Sequence, residues 1–163
     1  MSTFVSVGNT TQPFDRLLEA VTAVVRDLPQ PVFVQCGSTP FHAKGCENVA
    51  FLNMSEFQSR VGQSTLVIMH AGAGSLITAL RSDKVPVVMA RRARYGEHVD
   101  DHQIELAREL DRVGRIVVAN EPADLLPSVR EALARQESAH RATPASPAMI
   151  EMIADVLHRY ANP

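Results

Sequence analysis

The sequence predicts an α/β fold, a Rossmann-like doubly wound parallel sheet, from two observations. Short apolar runs rich in Val and Ile recur along the chain without strict polar alternation, which is typical of parallel strands covered on both faces. Segments with apolar residues at helical spacing lie between these runs, and alternating strands and helices build such a sheet. A chain of 163 residues is long enough to form one core of this kind.

The elements can be assigned in chain order. A helix is expected after Pro13, and Ser55 with Gln58 fits a capping box that starts a second helix toward Val61. An amphipathic helix follows the glycine-rich turn in VIMHAGAGSLITAL (67–80), and apolar stripes at 106–113 and 125–133 predict two more. Strands are predicted at TFVSV (3–7), PVFVQ (31–35), VAFL (49–52), TLVIM (65–69), VPVVMA (85–90) and RIVVA (115–119).

The domain organisation follows from a change in composition after Gln136. Residues 1–136 are predicted to form one domain, and the small, polar, proline-bearing segment 137–147 is predicted to be a linker. A dense apolar and Met-rich stripe then predicts a helix over 148–163. This helix either packs back onto the domain or docks a partner, and the sequence leaves both open.

Composition excludes some classes of function. The net charge of −2 argues against a dedicated nucleic-acid surface, although Arg91, Arg92 and Arg94 form a local basic spot. Cys36 and Cys46 have no CxxC spacing, which favours a reduced cytosolic compartment. No signal peptide or membrane span is predicted, so a partner is expected to bring the protein to any membrane.

Two turns that follow predicted strands carry groups suited to an anion. Gly8, Asn9 and Thr10 follow the first strand, where they form either a phosphate-binding loop or a plain turn. His70-Ala71-Gly72-Ala73-Gly74-Ser75 leads into a helix whose first N–H groups suit a diphosphate. A tight helix-packing turn is the alternative. This segment lacks the third glycine of GxGxxG, the Lys of a Walker loop and the GxSxG pattern of a nucleophile elbow.

A third segment, YGEHVDDHQIELA (95–107), follows the fifth strand and is rich in carboxylates and histidines. A metal site is conceivable there, but we favour a solvated loop in which Asp100 caps the next helix and Gln103 completes a capping box. We therefore predict no metal ligand. Carboxylates and amides at this place can also hydrogen-bond the hydroxyls of a sugar.

These motifs together carry a resemblance. FVSVGNTTQPFDRLLEAV, PVFVQCGS, LVIMHAGAGSLITAL and YGEHVDDHQIELARELDRVGRI resemble the small UDP-sugar-binding subunits of two-part glycosyltransferases. That group includes the catalytic subunit of the dolichol-pathway N-acetylglucosaminyltransferase and bacterial exopolysaccharide subunits such as glucuronosyltransferases. It is similar to the C-terminal domain of family 28 glycosyltransferases. The resemblance covers about residues 3–120, and YGEHVDDHQ points toward the bacterial exopolysaccharide branch.

The resemblance implies half of a GT-B enzyme that works with a membrane-anchored, acceptor-binding subunit. The implied reaction is inverting transfer of glucuronic acid or N-acetylglucosamine from a UDP-sugar, which is substrate and not cofactor, to a polyprenyl-diphosphate-linked saccharide. The implied location is cytoplasmic, peripheral to the inner face of the membrane. His70 is the candidate catalytic base, with donor binding or packing as its alternative roles. The implied donor-binding residues are Gly8, Asn9, Thr10, Met54, Gly72, Ala73, Gly74, Ser75, Glu97, His98, Asp101 and Gln103.

Departures from the family pattern keep other functions open. Thr78 stands where the family commonly has an acidic residue for ribose. An NADP-dependent reductase would place its diphosphate at 72–75 and use the three arginines at 91–94 for the 2′-phosphate. A non-catalytic partner-binding module would bind no nucleotide.

Overall fold

The computed structural model describes residues 1–141 and 147–161 as strands, helices and loops. The strands are β1 (Thr3–Ser6), β2 (Val32–Gln35), β3 (Cys46–Val49), β4 (Leu66–His70), β5 (Val87–Met89) and β6 (Val117–Val118). The helices are α1 (Asp15–Val24), α2 (Met54–Gln63), α3 (Ala73–Arg81), α4 (His102–Arg112), α5 (Leu125–Arg141) and α6 (Pro147–Ala161).

The strands form one parallel sheet in the order β3-β2-β1-β4-β5-β6. Along the chain, the strands first build outward from β1 to β3, and then restart at β4 on the other side of β1. This reversal leaves a crevice between the loops that follow β1 and β4, which is where doubly wound sheets bind their ligands. The predicted fold class is confirmed.

The apolar strands are buried on both faces, as their lack of alternation predicts. Val5 and Ile68 pack with α1 and α5 on one face, whereas Phe4 and Val67 pack with the other helices on the opposite face. All four side chains are at most 1% exposed. Two apolar layers therefore hold the sheet, and the loops at its carboxyl edge rest on rigid strands.

Two element boundaries differ from the prediction. The third strand is β3, Cys46–Val49, three residues before the apolar run at 49–52, because an edge strand does not need an apolar sequence to pair with β2. Helix α2 begins at Met54, and its capping box joins Asn53 and Glu56 rather than Ser55 and Gln58. The Asn53 side chain accepts from the Glu56 amide at 2.9 Å, so it satisfies an N–H that the helix leaves free.

The C-terminal part of the chain is more helical than predicted. Helix α5 continues to Arg141, so residues 137–141 of the expected linker are helical, and the Ser138 hydroxyl donates to the Ala134 carbonyl within it. Residues 142–146 of that linker lie outside the described residues. In α6, Ile153 and Leu157 are buried in the apolar layer that contains α3 and α4. Among the helices that the structure describes, none has the length and apolar character needed to cross a membrane.

Candidate functional site

A cleft of about 280 Å³ opens at the crevice between β1 and β4. Its walls come from the turn after β1, the end of β2, the start of α2 and the turn between β4 and α3. Most of the first two predicted motifs therefore meet in one place. The lining residues are Gly8, Asn9, Gln35, Leu52, Met54, Phe57, His70, Gly72, Ala73, Gly74, Ser75 and Thr78.

His70 stands at the end of β4 with its ring against two glycines. A Cβ atom built on Gly72 would lie 2.2 Å from His70 Nε2, and one built on Gly8 would lie 2.6 Å from the same nitrogen. Both distances are far below van der Waals contact, so only glycine at each position lets the ring occupy this place. The absence of a side chain at Gly8 and Gly72 thus leaves the space that the His70 ring occupies.

The environment of His70 keeps its imidazole neutral. Its side chain is buried, and burial, the nearby Arg91 charge and His98 together lower its pKa to about 4, against a weaker opposing effect of the Ser6 carbonyl. No hydrogen-bond partner of ordinary geometry reaches His70 Nδ1 from the described residues. At neutral pH His70 therefore offers the cleft a neutral ring and not a cation.

This pKa predicts a loss of stability in weak acid. The unfolded chain, with an ordinary histidine pKa near 6.5, takes up the proton first as the pH falls. The free energy of unfolding should therefore decrease between about pH 6.5 and pH 4, by up to about 3 kcal/mol. Urea denaturation at several pH values measures this change. His70→Asn should remove most of this pH dependence and the exposed control His42→Asn should not; equal slopes in all three proteins would contradict the prediction.

The first turn of α3 presents amide donors to the cleft. Gly72 precedes the helix, and no side chain caps it. The N–H groups of Ala73, Gly74 and Ser75 come before the first helical hydrogen bond, which runs from Leu76 N–H to the Gly72 carbonyl at 3.0 Å. Such amides, at the positive end of the helix dipole, suit the oxygens of a phosphate. None of the described lining residues is acidic or basic at neutral pH, so an anion here would be held by dipoles.

A chain of hydrogen bonds forms the β1–β2 side of the cleft. Ser6 Oγ accepts from Gly8 N–H at 3.3 Å and donates to Gln35 Oε1 at 2.6 Å. Gln35 Nε2 then donates to Asn9 Oδ1 at 2.7 Å. Ser6 lies opposite Gln35 where β1 pairs with β2. This series of hydrogen bonds therefore begins on two central strands and ends at the exposed side chain of Asn9 in the cleft.

The third motif does not line this cleft, and the donor-binding role expected for its residues stays a prediction. Glu97 instead accepts two hydrogen bonds from Arg16, both at 2.9 Å, and a third from the Arg92 amide. Gln103 Oε1 accepts from the Arg91 amide and Asp101 Oδ1 from the Ala93 amide. These side chains hold the loop after β5, because its backbone N–H groups have no strand beside them. Residues outside the cleft lining are Thr10, Glu97, His98, Asp101 and Gln103.

The start of α4 also differs from the prediction. Asp100 Oδ1 accepts from the His102 amide at 3.0 Å, as a residue near a helix N-terminus can. The expected capping box with Gln103 is wrong, since that side chain turns inward to the Arg91 amide. Within residues 1–141 and 147–161, no group of three or more His, Cys, Asp or Glu side chains could hold a metal ion.

Arg91 is a core residue and not part of a basic surface. Its side chain is fully buried, and its guanidinium donates to the carbonyls of Gln12 and Glu97 at 2.9 Å and to that of Val7. It also lies 4.7 Å from the Phe14 ring centre. Burial lowers its pKa to about 10, so it stays charged at neutral pH. Arg91 therefore ties the loops after β1 and β5 together and is not accessible to the 2′-phosphate of NADP.

Sequence reasoning missed several lining residues, of which Gln35 is the most informative. Its signal was a polar side chain at the carboxyl end of the buried run PVFVQ, next to the strand that carries the first glycine turn. Leu52 and Phe57 gave no such signal, because their position depends on where β3 ends and α2 begins. Thr78 faces the cleft one turn into α3, and its hydroxyl donates to the Gly74 carbonyl at 3.1 Å.

Curated proteins and solved structures resemble this chain over most of its length. It is 29% identical over 152 residues to the UDP-N-acetylglucosamine transferase subunit ALG13 of Eremothecium gossypii, covering 90% of this chain and 70% of the relative. It is 33% identical over 134 residues to the subunit of the same name in Yarrowia lipolytica, covering 74% and 66%.

Among solved structures, the calicheamicin glycosyltransferase CalG4 matches with a TM-score of 0.64 and 18% identity, over 99% of this chain and 44% of that one. MurG of Acinetobacter baumannii matches with a TM-score of 0.58 and 18% identity, over 96% and 49%. The chain thus spans less than half of either structure, and at these identities the likeness shows the fold alone. The family described as the glycosyltransferase family 28 C-terminal domain matches residues 2–159, and the protein belongs to that family.

Proposed function

We propose that this protein is the donor-binding subunit of a two-part glycosyltransferase and that its cleft holds a UDP-sugar. The observation that carries the proposal is the first turn of α3, whose unpaired amides face a cleft at the crevice between β1 and β4. Helix amides bind a diphosphate without a bound cation. Membership of the family and the names of both relatives support a UDP-sugar as the ligand.

N-acetylglucosamine is the donor sugar that we favour over glucuronic acid. Both relatives are named as UDP-N-acetylglucosamine transferase subunits. The carboxylate of glucuronic acid would give the donor a further negative charge besides those of its diphosphate, and no described lining residue carries a positive charge to pair with it. A neutral sugar avoids that uncompensated charge.

The proposed reaction is inverting transfer of the sugar to a polyprenyl-diphosphate-linked acceptor. The acceptor hydroxyl attacks the anomeric carbon while the bond to the UDP oxygen breaks, and the α3 amides stabilise the charge that develops on the departing diphosphate. A base must take the acceptor proton. With a pKa of about 4, His70 is a weak base at neutral pH, so we assign it a binding role and place the base on the partner subunit.

The partner is proposed to be a membrane-anchored subunit that binds the acceptor, which makes this chain a peripheral protein on the cytoplasmic side. Exposed apolar side chains at the carboxyl edge of the sheet support such a contact: Phe51 and Met54 lie after β3, and Tyr95 and Val99 lie after β5. Met54 belongs to the lining of the cleft, so a partner that closes the cleft would remove its apolar side chain from water.

Calorimetric titration with UDP, UDP-N-acetylglucosamine, UDP-glucuronic acid and NADPH tests the proposal. UDP should bind. Ser75 lines the cleft beside the α3 amides, and we propose that its hydroxyl donates a further hydrogen bond to the diphosphate. Ser75→Ala should therefore weaken binding about tenfold, since a hydrogen bond to a charged group contributes about 1.5 kcal/mol. Ser55→Ala is the matched control, because Ser55 is exposed in the first turn of α2. NADPH binding without UDP binding would contradict the proposal and favour a reductase.

A further inference from the structure

We propose that Gln35 is a positioning residue for the donor, and that it sets which end of the Asn9 amide faces the ligand. Its buried side chain holds Asn9 by Oδ1, so that Asn9 Nδ2 donates to an oxygen of the donor diphosphate. This inference rests on the proposed function, because it assigns a role within the same cleft.

The hydrogen bonds set the direction of both amides. The Ser6 hydroxyl accepts from the Gly8 amide and donates its own proton to Gln35 Oε1, so the oxygen of the Gln35 amide is the end that faces Ser6. Gln35 must then present its Nε2 on the other side, where Asn9 Oδ1 accepts at 2.7 Å. With Oδ1 engaged, the donating end of the Asn9 amide is the end that remains available to a ligand.

The series of hydrogen bonds from Ser6 through Gln35 to Asn9 is buried at its first two residues and exposed at Asn9. Ser6 is fully buried and Gln35 is 2% exposed, and the two residues lie side by side in paired central strands. Asn9 is exposed and lines the cleft. Holding the Asn9 side chain before the ligand arrives removes part of the entropy cost of fixing it on binding.

Charge explains why the direction of this amide matters. The lining holds no basic side chain among the described residues, and His70 is neutral at neutral pH. The anion is therefore met by N–H dipoles, from α3 on one side and from Asn9 on the other. If the Asn9 amide were reversed, its carbonyl oxygen would face the diphosphate and repel it.

A double-mutant cycle tests whether Gln35 acts through Asn9. UDP affinity is measured calorimetrically for the unchanged protein, for Asn9→Ala, for Gln35→Met and for the double variant. Thermal unfolding establishes that each of the four proteins is folded. We expect each single variant to bind UDP about 5- to 20-fold more weakly. Gln35→Met should cause almost no further loss when Asn9 is already alanine.

Asn9→Asp gives a second test that does not disturb the core, because the side chain is exposed. It keeps an oxygen for Gln35 Nε2 but replaces the donating Nδ2 by a second carboxylate oxygen. UDP binding should weaken more than in Asn9→Ala, while binding of uridine, followed by chemical-shift perturbation, should stay within about twofold. Asn120→Asp is the matched control, since Asn120 is an exposed asparagine that follows β6 outside the cleft.

The outcomes separate this inference from the proposed function. If the unchanged protein binds UDP but Asn9→Asp binds it equally well, the role of Asn9 is wrong. If Gln35→Met weakens UDP binding by the same factor with and without Asn9, Gln35 acts through the fold and the positioning role is wrong. If the unchanged protein binds no UDP, the proposed function fails and this inference fails with it.

Discussion

Replacing Gly72 by alanine is expected to destabilise the protein by about 3 kcal/mol and to abolish nucleotide binding. The backbone of Gly72 has φ −79°, which alanine adopts without strain, so the effect is steric. The new methyl group would lie 2.2 Å from His70 Nε2, so the buried ring would have to leave its place in the cleft wall. Chemical denaturation and UDP titration measure the two effects.

Gly74→Ala is the matched control for this prediction. A Cβ atom at Gly74 meets no other atom within 4 Å, and alanine in α3 should leave stability equal or raise it by about 0.5 kcal/mol. Combining Gly72→Ala with His70→Ala should recover part of the lost stability, because the clash is gone. Equal losses in the single and the double variant would show that His70 is not the cause.

Arg91→Met is expected to destabilise the protein by about 3 to 5 kcal/mol, because it leaves buried carbonyls without donors. The guanidinium bonds the carbonyls of Val7, Gln12 and Glu97, which belong to the loops after β1 and β5. Methionine fills much of the same volume, so the loss reports the hydrogen bonds more than packing. The free energy of unfolding of Arg91→Lys should lie between that of the unchanged protein and that of Arg91→Met. An ammonium group lacks the planar guanidinium geometry and cannot reach all three carbonyls at once.

Arg94→Met is the control for Arg91→Met. Its side chain is 61% exposed and its distance to the Glu121 carboxylate is 3.9 Å, so its removal should change the free energy of unfolding by less than about 1 kcal/mol. Urea denaturation of both variants measures the difference. If Arg91→Met were as stable as Arg94→Met, the loops after β1 and β5 would be held by other contacts.

Strand positions were readable from the sequence wherever both faces of a strand are apolar. β1, β2 and β4 lie within their predicted runs to within one residue at their C-terminal ends, because a central parallel strand must be apolar along its length. β3 was misplaced because it pairs with β2 on one edge only, and its residues are half-buried or exposed. Strand order was not readable, since pairing partners depend on how helices pack across the sheet.

The site was predictable in its glycine turns and not in its polar contacts. Glycines after a strand and before a helix indicate a close approach, and the turns around Gly8 and Gly72 do meet at one cleft. The acidic motif lies outside the cleft lining, and Glu97 pairs with Arg16, 81 positions away in the chain. No pattern in the sequence around Glu97 predicts an ion-pair partner that far away in the chain.

The sequence by itself determined the fold class and the position of the two glycine turns, because hydrophobic period and glycine placement are local properties of the chain. Tertiary structure alone decided that Arg91 is buried, that His70 is neutral and that Gln35 holds Asn9. Each of these depends on a neighbour brought close by sheet pairing or loop packing. The burial and charge of a side chain depend on those neighbours, and the local sequence around a residue does not show which distant residues will contact it.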